Sequence, residues 1–160
     1  MADEFVSVNL TVPVAAERVF AVLVDPTTHA AIDGTGWVRE AVEQAPLTAV
    51  GQIFRVDMFH PRAGDYQMAN RVEVLDPPRA IAWQPGSESA EGDGGPAFGG
   101  WIWRYDLVPV GPSETEVTLT YDWSGVPQFI RERLQFPPFG PEHLSNSLSH
   151  LAELAAVQRA

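Results

Sequence analysis

The sequence predicts an α+β domain in which a few helices stand apart from an antiparallel sheet. Three observations lead there. Segments of alternating apolar and polar residues follow one another at short intervals, which is the period of half-buried strands. Two stretches instead carry apolar residues at three- and four-residue spacing, the period of one helical face. The order is one strand, two short helices, six further strands and a long terminal helix.

Val6, Val8, Leu10 and Val12 alternate with Ser7, Asn9 and Thr11, so Phe5 to Val12 reads as a strand that Pro13 ends. Ala16, Val19, Phe20 and Leu23 then share a helical face. Asp25-Pro26 reads as an N-cap followed by proline at the first helical position, opening a second short helix that Gly34 stops. Trp37 to Glu43 and Gln52 to His60 are the next strands, and Pro61 to Asp65, with Gly64, connects the latter to its return. On the return strand Tyr66, Met68, Asn70, Val72 and Val74 share one face, and Gln67, Arg71 and Glu73 the other. Asp76-Pro77-Pro78 turns the chain into a short strand from Arg79 to Gln84. Trp101, Trp103, Tyr105 and Leu107 share a face of the sixth strand; Val117, Leu119, Tyr121 and Trp123 do so on the seventh.

Between the fifth and sixth strands, Pro85 to Gly100 is rich in Gly, Ser and acidic residues and reads as a mobile surface excursion. Pro141 at a first helical position and Glu142 near the positive dipole end begin the last helix. Its Leu144, Leu148, Leu151 and Ala155 form an apolar stripe. About 16 helical residues span roughly 24 Å and a seven-residue strand roughly 23 Å, so this helix is long enough to cross the sheet.

Composition narrows the function classes. A chain of 160 residues, 45% hydrophobic and 19% charged, suits one globular domain over residues 1–160. The absence of cysteine removes disulfides, thiolate metal sites and a cysteine nucleophile together. A net charge of −11 repels phosphates and anionic headgroups, which sets aside nucleic acid and stable membrane attachment. No apolar run approaches the roughly 20 residues of a membrane span. Met1-Ala2-Asp3-Glu4 is an acidic start unlike that of a signal peptide, so the expectation is a soluble cytoplasmic protein. Unpaired edge strands allow a monomer or a homodimer.

The run from Val12 to Pro26, Val-Pro-Val-Ala-Ala-Glu-Arg-Val-Phe-Ala-Val-Leu-Val-Asp-Pro, resembles the opening of the START-like, or SRPBCC, superfamily. Trp103-Arg104-Tyr105-Asp106-Leu107-Val108-Pro109, followed by Glu116-Val117-Thr118-Leu119-Thr120-Tyr121, is similar to its last two strands. The resemblance covers nearly the whole chain. It implies a helix-grip fold: a curved antiparallel sheet of about seven strands, with the long C-terminal helix over it enclosing a cavity. The superfamily includes polyketide aromatase/cyclases, lipid-transfer domains, plant hormone receptors and activators of a heat-shock chaperone, so it implies no single chemistry.

The residues themselves point to a pocket by a separate route. Inward-facing candidates on the strands are bulky: Phe54, Met58, Met68, Trp83 and Trp101. Trp103, Tyr105, Tyr121 and Trp123 continue the set, with Phe129, Phe136 and Phe139 ahead of the last helix and Leu144 and Leu148 on it. Each aromatic alone is more often plain core. Tyr and Trp need polar partners when buried, however, and a guest molecule or water would supply them.

Catalytic signatures are sparse. Gly92-Asp93-Gly94-Gly95 lacks the Lys-Ser/Thr of a phosphate loop, and there is no Gly-x-Ser-x-Gly. His143 and His150 are seven apart with no third partner, so no metal and no cofactor are expected. His60, at a strand end that the hairpin brings near Tyr66 across the ladder, is a candidate proton relay, against the commoner role of bonding a loop carbonyl. Asn70, an amide on an apolar strand face, either orients a ligand carbonyl or satisfies the interior. Arg71, Glu73 and Arg104 read as solvated outer-face charges. Three functions stand. The first is binding or transport of a small hydrophobic, lipid- or polyketide-like molecule. The second is a polyketide aromatase/cyclase or dehydratase acting through His60, Tyr66 and Asn70. The third is a chaperone-cofactor-like interaction domain.

Overall fold

The computed structural model describes residues 5–32, 38–41, 46–60, 64–87, 97–98, 100–128, 132 and 142–157. In chain order it contains β1 (Phe5–Val12), α1 (Ala16–Leu23), a 3-10 turn (Pro26–Thr28), α2 (His29–Ile32), β2 (Val38–Ala41) and β3 (Ile53–His60). Then follow β4 (Gly64–Asp76), β5 (Ala80–Ser87), β6 (Ala97–Phe98), β7 (Ile102–Gly111), β8 (Glu114–Asp122) and α3 (Glu142–Val157). The protein is α+β, with helices segregated from one antiparallel sheet, as the periodicities predict. The sheet runs β1-β8-β7-β5-β4-β3-β2, with β6 pairing β5 beside this path.

Two features differ from the sequence reading. The polar excursion begins later than Pro85, because β5 continues through Ser87 and buries Pro85 and Gly86; β6 then pairs with its last two residues. Residues 88–96, Gly34 and Pro141 lie outside the described residues. The second difference is a bulge. Val72 pairs with Trp83, yet Val74 pairs with Ala82 and Leu75 with Ile81. The extra residue on β4 reverses its parity, so Leu75 packs on the core in place of Val74. Strict alternation cannot foresee this, since a bulge adds a residue without changing composition.

The two faces of the sheet differ in chemistry. On the outer face Arg71 pairs with Glu73 at 2.8 Å, and Gln84 Nε2 donates to the same carboxylate at 2.9 Å. Arg104 Nε donates to both Asp106 oxygens at 3.0 Å. These side chains are about 40% exposed or somewhat less, so such pairs contribute little stability and mainly keep this face wet. The inner face is apolar, and α3 docks on that side. Leu144, Leu148, Leu151 and Ala155 are all at most 2% exposed, and the helix packs against β1, α1 and α2 and touches β8. The leucine stripe is therefore the core-facing side of α3, as its spacing requires.

The turn from β1 into α1 is pinned by the fully buried Thr115 of β8, whose hydroxyl donates to Val14 O at 2.7 Å. Gly100, at φ +97°, brings its backbone against that of Gly125, so a side chain there would collide with the Gly125 carbonyl.

These packing relations give two expected outcomes in urea unfolding. Leu148→Ala should destabilise by about 2–5 kcal/mol, while Val108→Ala, at an exposed site, should stay within about 0.5 kcal/mol. Gly100→Ala should cost more than about 1 kcal/mol through its positive φ and the blocked approach to Gly125.

Candidate functional site

Register places the large inner-face side chains side by side across five strands. Val56 pairs with Met68 and Phe54 with Asn70. Val72 meets Trp83, Trp83 meets Trp103, and Trp103 meets Tyr121. The rings touch accordingly: Trp83 and Tyr105 centroids are 5.8 Å apart, Trp103 and Tyr121 4.6 Å, and Tyr121 and Trp123 5.8 Å. Tilted geometry throughout suits the electron-poor edges and electron-rich faces of such rings.

Burial divides this wall into two zones. Phe54, Tyr105, Tyr121 and Trp123 are buried, and burial raises the Tyr121 phenol well above its ordinary pKa. Met58, Met68, Trp83, Trp101 and Trp103 are only half-buried, although they point to the same side as the helices. The structure thus brings together nine of the strand residues expected to face inward, with Leu144 and Leu148 buried on α3. Phe129, Phe136 and Phe139 lie outside the described residues. Of the candidate proton-transfer groups, Asn70 is 6% exposed and its Nδ2 donates to Phe54 O at 3.4 Å. His60 and Tyr66 are described by their backbones alone. There Tyr66 pairs with Met58 and His60 with Gly64, so the two stand one diagonal apart and not directly opposite.

One residue of the site escaped the sequence reading. His29 opens α2 and is 8% exposed, with its ring stacked on Trp83 at 4.9 Å and 17° and edge-on to Phe54 at 5.4 Å. It is held there by the junction between α1 and α2. Asp25 Oδ1 accepts from Thr27 N at 3.0 Å, capping the turn, and the Thr28 hydroxyl reaches Val22 O at 2.7 Å. His29 Nε2 lies 2.9 Å from Leu23 O; a carbonyl only accepts, so Nε2 carries the proton. Burial lowers the pKa of the ring, outweighing the Leu23 bond and the Asp25 carboxylate, which both favour the cation. A neutral imidazole with an acceptor at Nδ1 follows. The available signal was the three-residue spacing of His29 and Ile32, which puts both on one helical face.

The two histidines of α3 are separate in role. His143 is 7% exposed and sets its ring edge-on to Trp103 at 5.6 Å, tying α3 to the aromatic wall. His150 Nδ1 lies 3.2 Å from Ile32 O, tying α3 to α2. Among the described residues no group of three His, Asp or Glu side chains could hold a metal ion, and no helix is long and apolar enough to cross a membrane.

Comparison with known proteins places this arrangement. The family model described as "Activator of Hsp90 ATPase homolog 1-like protein" matches residues 13–153, from the turn before α1 almost to the end of α3. The chain belongs to this family. The family lies within the SRPBCC, or START-like, superfamily that the opening run resembles. An uncharacterised protein of Mycobacterium tuberculosis is 28% identical over 120 residues, which is 74% of this chain and 47% of that protein. The chain thus spans about half the length of the curated relatives it matches. A crystal structure from Nitrosomonas europaea superposes with TM-score 0.71 at 15% identity, covering 99% of this chain and 98% of that one. A norcoclaurine synthase point mutant from Thalictrum flavum, in complex with a transition-state analogue, gives 0.63 at 15% identity, covering 98% and 96%. At such identities the likeness is one of fold, and the fold is the helix-grip fold.

The buried imidazole has a pH signature in this family member. Its native pKa lies below the ordinary 6.5, so as pH falls below 6.5 the unfolded chain takes up a proton that the native chain resists. Its contribution is fully present above 6.5 and is lost as pH falls toward the depressed native value. His29→Gln should therefore flatten the change in urea midpoint between pH 7 and pH 5 relative to the parent chain.

Proposed function

We propose that this domain binds or carries a small hydrophobic molecule between the inner face of the sheet and the C-terminal helix. The supporting observation is the half-buried state of Met58, Met68, Trp83, Trp101 and Trp103 on a face that helices cover. Large apolar side chains directed into a layer, yet incompletely buried there, are suited to contact a guest. Membership of a family in the SRPBCC superfamily agrees with this reading. The lipid- or polyketide-like character of the guest and a cytoplasmic location belong to the same proposal.

An aromatase/cyclase or dehydratase reading has less support. Its proton-moving groups would be His60 and Tyr66, of whose side chains nothing is described, and the Asn70 amide, whose Nδ2 donates to the Phe54 carbonyl, would only orient a guest. Binding without covalent chemistry requires no such group.

The reading is tested by titrating the protein with N-phenyl-1-naphthylamine, an uncharged fluorescent reporter of apolar sites. Saturable one-site enhancement is expected, weakened about tenfold by Trp103→Ala and little changed by His60→Ala. Absence of saturable binding would sink it. Native mass spectrometry of the purified protein would show any guest that travels with it.

The family description favours a second reading, in which an outer surface stimulates the ATPase of an Hsp90-type chaperone. Adding the protein to such a chaperone would then accelerate nucleotide hydrolysis. Unchanged turnover rejects it.

A further inference from the structure

The interior polar groups near the half-buried rings are a better guide to the guest than its hydrophobicity. His29 is the most informative of them. Its Nε2 is turned to the Leu23 carbonyl at the end of α1, and Nδ1 occupies another edge of the same ring. Among the described residues nothing donates a hydrogen bond to that Nδ1. The ring is more than nine-tenths buried and lies flat along Trp83, which is itself half-buried. Although the residue is buried, the Nδ1 atom itself keeps a small solvent contact, so a donor on a guest would take the place of water there.

The charge of the surroundings restricts what that something is. By strand register Arg55, Asp57, Arg71, Glu73, Arg104 and Asp106 all point to the outer face. Among the described residues the inner face of the sheet therefore offers no cation to a carboxylate or phosphate, and the carboxylate that bears on His29, Asp25, is taken up by Thr27. An ionised guest would lose its hydration with no opposite charge to replace it. The shape of the wall adds a second restriction. Trp83 and Trp103 are neighbours in register and both are half-buried, and the ring surface they leave exposed is best covered by another flat ring.

We propose that His29 is a specificity-determining residue of the pocket: its Nδ1 accepts a hydrogen bond from a hydroxyl or N–H of a neutral, flat, ring-bearing guest lying against Trp83 and Trp103. This rests on the pocket reading above and names the ligand class within it. A long acyl chain, a fatty acid or a phosphorylated lipid is a poorer match. His29 moves no proton in this role; the neutral imidazole supplies the acceptor.

The test compares three probes by calorimetry at pH 7.5. 2-Naphthol is flat and carries a donor, 2-methoxynaphthalene is equally flat without one, and 1-decanol carries the donor on a flexible chain. 2-Naphthol should bind about tenfold tighter than 2-methoxynaphthalene, the ratio that one buried hydrogen bond sets, and tighter than 1-decanol, whose flexible chain pays ordering entropy and cannot cover the rings. His29→Phe should abolish its advantage over the methoxy compound while retaining binding of both. Where that variant fails to fold, the unprotonated ¹⁵Nδ1 resonance of His29 in the parent chain serves instead. It should move upfield with 2-naphthol and stay in place with 2-methoxynaphthalene, a response that a purely structural histidine would not give. Equal affinities for the two naphthalenes, an immobile Nδ1 resonance, or preference for 1-decanol would overturn the assignment. If N-phenyl-1-naphthylamine binds in that case, the pocket stands and the ligand class falls; if it does not, both fall.

Discussion

Everything in this fold depends on α3 lying on the side of the sheet to which the rings point. The alternation of strand residues puts Phe54, Trp83, Trp103, Tyr105 and Tyr121 on one face and the arginines and carboxylates on the other. A sheet with one such face must bury it, and the leucine-striped α3 does so together with the short α1 and α2. His143 against Trp103 and His150 against Ile32 fix that cover to the wall and to α2. The apolar stripe supplies most of the attraction and the two imidazoles supply orientation.

The cover is uneven in its effect. α3 packs on β1, α1 and α2 and touches β8, where Val117, Leu119 and Tyr121 are buried while Val6 and Val8 of the edge strand are half-buried. Toward β3, β4 and β5 the inner side chains include Met58, Met68 and Trp83, which are half-buried. A long straight helix crossing a sheet whose strands twist relative to one another does not meet all of them equally. This geometric mismatch is what the proposed pocket exploits. The short helices fill part of the same layer, and through them His29 reaches a wall made by strands far away in the chain.

Family and fold set limits on function without deciding it. The match over residues 13–153 places the chain in the family described as "Activator of Hsp90 ATPase homolog 1-like protein". The superposition on norcoclaurine synthase shows that the same fold also holds a catalytic site. Between those two, the identity of the inward side chains carries the information. Here, among the described residues, they are rings, thioethers and neutral polar groups.

The sequence by itself determined which residues share a face within each element, because the periods of strand and helix are properties of the local backbone. That was enough for the order of elements, the apolar wall, the outer charges and the leucine stripe. It left the bulge between Val72 and Val74 hidden, since one extra strand residue has no compositional mark. It also left His29 unnoticed, because a histidine in a short helix of alanines reads as surface until the helix is docked. Only the tertiary structure decided that His29 stacks on Trp83, that His143 and His150 serve separate contacts, and that Trp83, Trp101 and Trp103 are only half-buried. The reason is physical: these facts belong to the meeting of two faces, and neither face carries in its own local pattern how closely the other will approach.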